Sequence, residues 1–118
     1  MMKLMSLEFP LSTEIMTTVR LVTGGVCAMV GFDLDETEDC KVCVTESLLL
    51  LLHGGATHAA LRFERDETLR VFLEADSKED SERADDEISV ALLSALVNDL
   101  DIRREGTFTR IAFGLGKS

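Results

Sequence analysis

Residues 33–55 read DLDETEDCKVCVTESLLLLLHGG. The spacing predicts a helix opening at Asp33 or Asp35. Asp35, Glu36, Glu38 and Asp39 crowd its start, where the positive end of the helix dipole favours carboxylates. Val42, Val44, Leu48, Leu49 and Leu52 carry the apolar pattern forward, and His53-Gly54-Gly55 stops it. From Ser47 to Leu52 the helix is apolar on all sides, which predicts a segment buried all round in the centre of the domain.

On its N-terminal side, Leu7 to Leu11 reads as a short edge strand, because Pro10 cannot donate to a ladder in a central strand. Ser12 or Thr13 offers an N-cap, and Glu14 lies in the first turn. Ile15, Val19, Val22, Val26 and Met29 then mark one face of a helix over roughly residues 13–30, ended by Gly31. On the C-terminal side the period changes to two. Ala59, Leu61 and Phe63 alternate with His58, Arg62 and Glu64, and Leu69, Val71 and Leu73 repeat the pattern after a turn at Arg65-Asp66-Glu67. Asp76 to Glu87 is hydrophilic apart from Ala84 and reads as a loop. Ile88, Leu92, Ala95, Leu96 and Asp99 suggest a third helix over 88–100. Two strands close the chain, 101–104 and 108–115, joined by a turn at Glu105-Gly106. The order β-α-α-β-β-α-β-β predicts an α+β fold: a two-layer α/β sandwich with a mostly antiparallel, mixed sheet of roughly four or five strands and three helices on one face.

Composition bounds the function. At 118 residues the chain is expected to be a single domain, 1–118. With 46% hydrophobic and 29% charged residues it is a folded chain, not a disordered one. Twelve Lys+Arg against 22 Asp+Glu leave a net charge of −10, which repels phosphate backbones and argues against nucleic acid. A basic protein partner fits that surface better. The longest apolar run, Leu48 to Leu52, is far short of the ~20 residues that cross a bilayer, and the first ten residues do not form a signal peptide. The expectation is a cytoplasmic protein, away from membranes, with its three cysteines reduced.

The run from Asp33 through Val44-Thr45-Glu46, with its apolar helix end and His53-Gly54, resembles the N-box helix of bacterial anti-sigma factor serine kinases. These belong to the histidine-kinase-like (GHKL) ATPase fold shared with histidine kinases, gyrase B and Hsp90. The opening strand with Phe9-Pro10, the hairpin ending in Glu74-Ala75-Asp76, and the final helix-strand-strand segment with Gly106 follow the family's order. The resemblance implies that Glu46 stands where the family's glutamate activates the attacking hydroxyl or water. The family's magnesium-binding Asn falls at Leu50 counting from Glu46, or at Leu49 counting back from His53-Gly54. Leucine has no lone pair for a cation that demands oxygen ligands. Asp76 stands at the aspartate that reads adenine, but Lys78 replaces the glycine of that motif. The glycine-rich phosphate turn is replaced by Asp85-Asp86-Glu87-Ile88-Ser89. A carboxylate ~5 Å from a phosphate charge costs about 3 kcal/mol at an effective dielectric near 20. The loop from Ser77 to Asp85 is also shorter than the family's ATP lid.

The resemblance and its departures together imply a degenerate, pseudokinase-like member. It would be a regulatory interaction module in bacterial transcription control that has lost ATP binding and kinase activity. Its partner would be a sigma factor or an antagonist protein, and it could pair as a homodimer. No catalytic residue is expected, with Glu46 and Asp76 as relics of the catalytic and cofactor-binding positions, and neither a metal nor a cofactor is expected. Two alternatives stand beside it: an active Mg-ATP-dependent anti-sigma serine kinase, and a structural homodimerisation domain. The plainer readings are that Glu46 pairs with a basic side chain or meets water, that Asp76 is a solvated turn residue, that His53 is a helix C-terminal residue, and that Asp33 to Asp39 is a charged helix start. Cys40-Lys-Val-Cys43 has redox spacing but lies within a helix, which predicts packed, inert thiols. Cys27, Cys40, Cys43, His53 and His58 supply enough N and S ligands for zinc on paper, without a second paired motif to support it. No Ser/His/Asp arrangement is discernible.

Overall fold

A computed structural model describes residues 2–77 and 86–116. The elements are β1 (Met2–Pro10), α1 (Ile15–Met29), α2 (Leu34–His53), β2 (His58–Arg65), β3 (Leu69–Asp76), α3 (Asp86–Leu96), β4 (Asn98–Glu105) and β5 (Phe108–Leu115). The order matches the sequence reading. The strands form one sheet in the order β1-β2-β3-β5-β4, and every pairing is antiparallel, so the expected mixed character is corrected.

Helix α2 starts where its sequence says. Asp33 Oδ1 accepts from the Glu36 amide at 2.8 Å, and Glu36 Oε1 accepts from the Asp33 amide at 3.1 Å. This reciprocal cap satisfies two amides that a helix start otherwise leaves open. At the other end Gly55 takes a φ of +93°, a conformation suited to glycine, and turns the chain toward β2. Helix α1 differs from its prediction. It begins at Ile15 after Glu14, with no side-chain cap from Ser12 or Thr13. Strand β1 is longer than predicted, because it pairs with β2 from Met2↔Arg65 to Pro10↔His58. Pro10 ends an edge strand, as its missing N–H requires.

Alternation divides the sheet into two faces. Leu61, Phe63, Leu69, Val71, Leu73, Ile111 and Phe113 are buried beneath the helices. Arg62, Glu64, Arg70, Phe72, Glu74 and Arg110 lie in the intervening positions, where Arg62 stacks on Phe72 at 4.3 Å from the ring centre. The apolar side chains form one cluster to which all three helices contribute. Two hydroxyls inside it stay satisfied by bonding one turn back: Thr23 to the Val19 carbonyl and Ser47 to the Cys43 carbonyl, each at 2.8 Å.

Helix α3 departs most from its prediction. It ends at Leu96, and the chain passes into β4 at Asn98 through Asp99, whose φ is +54°. An irregularity between Asn98 and Asp101 gives β4 a start that a short apolar pattern does not announce. Its buried face is also rotated by one position: Ser89 and Leu93 are buried, whereas Ile88 and Leu92 are exposed. No helix among the described residues is long and apolar enough to cross a membrane.

Candidate functional site

Glu46 lies on α2 among the buried residues Cys43, Ser47 and Leu50. Among the described residues its carboxylate meets a hydroxyl from α3. The Ser89 hydroxyl donates to Glu46 Oε2 at 2.8 Å, and Ser89 is only 7% exposed. An O–H bond to a carboxylate is among the stronger protein hydrogen bonds, and this part-buried one contributes about 1–2 kcal/mol. It joins α2 to α3 across 43 residues of sequence. Chemically, the carboxylate that would accept a proton from an attacking hydroxyl already holds an internal hydroxyl.

One turn after Glu46, Leu50 is 4% exposed and lines a cavity between α2 and the sheet. Leu51, Ala56, Ala75, Ser77 and Ile111 are among the other walls. Its volume is about 20 Å³, room for about one water molecule. Ligand pockets usually measure about 300–1,000 Å³. Of the two leucines that could stand at the family's Asn position, Leu50 is the one that lines this cavity. Among the described residues that wall this cavity, Leu50 offers hydrocarbon where magnesium would require oxygen.

Asp76 is not part of this cleft. It is the last residue of β3 and follows Ala75, which is buried on the helix side. By alternation its side chain belongs to the opposite face, where it borders an open groove of about 310 Å³ with Glu8, His58, Glu74 and Phe108. The structure therefore separates Glu46 and Asp76 by the thickness of the sheet. Lys78, Asp85 and the shortened loop lie outside the described residues, as does the side chain of Asp86. Glu87 is exposed at the start of α3. His53 is the final residue of α2, as predicted.

The cysteines are all fully buried. Burial, reinforced by the charges of Asp39 and Glu46, pushes the Cys43 thiol up to about 12, so it keeps its proton at neutral pH. Cys40 is also held above the ordinary thiol range, by its neighbour Cys27 and by burial. Among the described residues no group of three or more His, Cys, Asp and Glu is arranged to hold a metal ion.

Sequence reasoning missed Ser89 as the partner of Glu46. It assigned Ser89 to the lost phosphate turn, and took Ile88 and Leu92 for the buried stripe. The available signal was the stripe Ser89, Leu93 and Leu96, spaced by four and three.

No family model matches the chain, and no curated protein matches it. Among solved structures it is similar to the crystal structure of the RsbU and RsbW domains of Rv1364c from Mycobacterium tuberculosis, with a TM-score of 0.72 and 16% identity. The match covers 98% of this chain and 34% of that one, so this chain spans about a third of its neighbour's length. At that identity the likeness is one of fold: three helices over a five-stranded antiparallel sheet.

Proposed function

We propose that this chain is a regulatory protein-interaction module that resembles an anti-sigma factor serine kinase and has given up Mg-ATP binding and phosphotransfer. The observation that carries the reading is the filled cleft: Leu50 lines a cavity of about 20 Å³ at the position the family gives to a metal-binding Asn. The Ser89 hydroxyl on Glu46 supports it, because an internal donor occupies one acceptor site of the carboxylate and lowers its basicity toward a substrate hydroxyl. The partner on this reading is a protein, a sigma factor or its antagonist. A chain with a net charge of −10 favours a basic docking surface on that partner. The module acts in the cytoplasm, without nucleic acid or membrane.

Calorimetry tests the reading. Titration of the protein with millimolar Mg-ATP gives no saturable heat, and incubation with radiolabelled ATP and a candidate antagonist gives no phosphoserine. A Kd in the low micromolar range, or transfer to a protein serine, overturns it. Titration against a purified sigma factor and a purified antagonist tests the second half. Binding to one of them, weakening as salt rises, supports the module; binding to neither removes the assigned partners.

A further inference from the structure

Helix α3 has two apolar faces, and the fold buries one of them. From Ile88 to Val97 the sequence carries no charged residue. Ser89 and Leu93 face inward, Ser89 onto Glu46 and Leu93 into the core. The neighbouring row is Ile88, Ala91, Leu92 and Ala95, spaced i, i+3, i+4 and i+7 along a single helix face. All four are exposed, Ile88 to 74% and Leu92 to 38%. Single apolar side chains on a surface are ordinary, but a helix apolar all round is one that is covered all round. Within this sequence, residues 78–85 hold one apolar side chain, Ala84, and offer no matching apolar face. A second copy meets a charge conflict. Glu87 is exposed just before the row, and Asp99 just beyond it keeps 84% of its side chain exposed, with Arg70 at 3.6 Å. Two α3 helices side by side would set Glu87 against Glu87 when parallel, or against Asp99 when antiparallel, and the net charge of −10 on each chain adds to the repulsion.

We propose that the outer row of α3 is the docking surface for a basic amphipathic helix of a protein partner. The partner's apolar stripe covers Ile88, Ala91, Leu92 and Ala95, and its lysines or arginines flank that stripe and meet Glu87 and Asp99. The residue sizes suit this use. Ile88 and Leu92 supply the large apolar contacts, while Ala91 and Ala95 let a second helix axis come close. An apolar centre with charges at its rim is the usual anatomy of a protein interface. The same carboxylates repel an anionic lipid surface, which an uncharged helix face alone would not. On the reading of this chain as a protein-interaction module, on which this assignment rests, α3 gives the module its contact surface.

The test titrates the full, isotope-labelled chain with a synthetic helical peptide that carries leucines at i, i+3, i+4 and i+7 and lysines at both ends. A second peptide has glutamates in place of the lysines. The lysine peptide is expected to bind saturably and more weakly as salt rises, with NMR shifts centred on the amides of Ile88, Ala91, Leu92 and Ala95. The glutamate peptide does not bind. The double variant Ile88→Gln, Leu92→Gln binds the lysine peptide about tenfold more weakly. Ala91→Lys, a change at an exposed position that sets like charge against the peptide, also weakens binding and carries the test where the double variant loses Tm. Leu21→Gln, at a leucine 71% exposed on α1, binds as the wild type does. Shifts centred elsewhere, equal binding of the glutamate peptide, or an equal loss in Leu21→Gln would overturn the proposal. So would self-association that Ile88→Gln abolishes, or attachment of the row to phosphatidylglycerol vesicles. A sigma factor or antagonist that binds the wild type and Ala91→Lys alike strikes the surface and leaves the function. A lysine peptide seated on α3 while neither of those proteins binds upholds the surface and removes the assigned partners.

Discussion

Under the C-terminal half of α2 the helix and the sheet leave about 20 Å³, walled by Leu50, Leu51, Ala75 and Ile111. At the other end of the same helix, Phe32, Asp33, Glu36, Glu67, Thr68 and Gly116 border an open groove of about 350 Å³. One helix on one sheet thus produces a filled seam and an open one. The difference lies in how the walls meet, not in their residue sizes: Leu50, Leu51 and Ile111 close on one another in the first, whereas Phe32, Leu69 and Leu115 stand apart around the second, at whose edge a Cβ on Gly116 would come within 3.0 Å of the Phe32 ring. A fold fixes where its elements lie, but the side chains decide where space remains, which is why a fold does not transmit a ligand site by itself.

The sharpest way to break this comparison is to put the missing oxygen back. Leu50→Asn places an amide in a seam with room for about one water, removes apolar contact, and is expected to cost about 3–4 kcal/mol in urea unfolding. Mg-ATP binding does not return. A neutral substitution, or restored binding, would mean that the seam is roomier and more polar than described.

Alkaline pH probes the middle of α2. In the unfolded chain Cys43 ionises near about 8.5, whereas in the folded chain burial holds it near about 12. Below the lower value both states keep the proton, so stability does not change with pH on its account. Between the two values only the unfolded state releases it, and stability falls by about 1.4 kcal/mol per pH unit. Unfolding curves across this window show the slope, and Cys43→Ala removes this contribution. An unchanged slope in that variant would assign the alkaline loss elsewhere.

The bond between α2 and α3 comes next. Glu46→Gln and Ser89→Ala each weaken the fold by about 1–2 kcal/mol, and the double-mutant cycle returns a coupling of about 1 kcal/mol. Zero coupling would leave α3 held by Leu93 and its apolar neighbours alone. The smallest effect belongs to the open end. Asp33→Ala removes the cap from Glu36 and costs about 1 kcal/mol, with helical content otherwise retained.

The parts of this architecture that local chemistry dictates were legible. The Asp33 cap, the two-residue alternation of β2 and β3, and the left-handed glycines at Gly31 and Gly55 each declare themselves within a few residues. The parts decided by distant partners were not. The N-terminal half of β1 has no clear alternation, and becomes a strand because β2 offers it a full edge. The helical pattern after Leu96 continues in the sequence, but pairing with β5 claims Asn98 onward. At the site, Glu46 and Leu50 could be placed because i and i+4 share a helix face. Ser89 could not be matched to Glu46, since that bond spans two helices with a strand pair between them in sequence. Asp76 stands at the adenine-reading position by resemblance alone and reads otherwise as a solvated turn residue; a strand sends neighbouring side chains to opposite faces, and the exposed Asp76 has the parity of the outer one.

The most direct test of the filled seam is an NMR titration of isotope-labelled protein with Mg-ATP, reading the amides of Gly54, Ala56, Ser77, Thr109 and Ile111, which surround it. These signals are expected to stay in place up to millimolar nucleotide. Saturable shifts confined to those residues would contradict the filled seam.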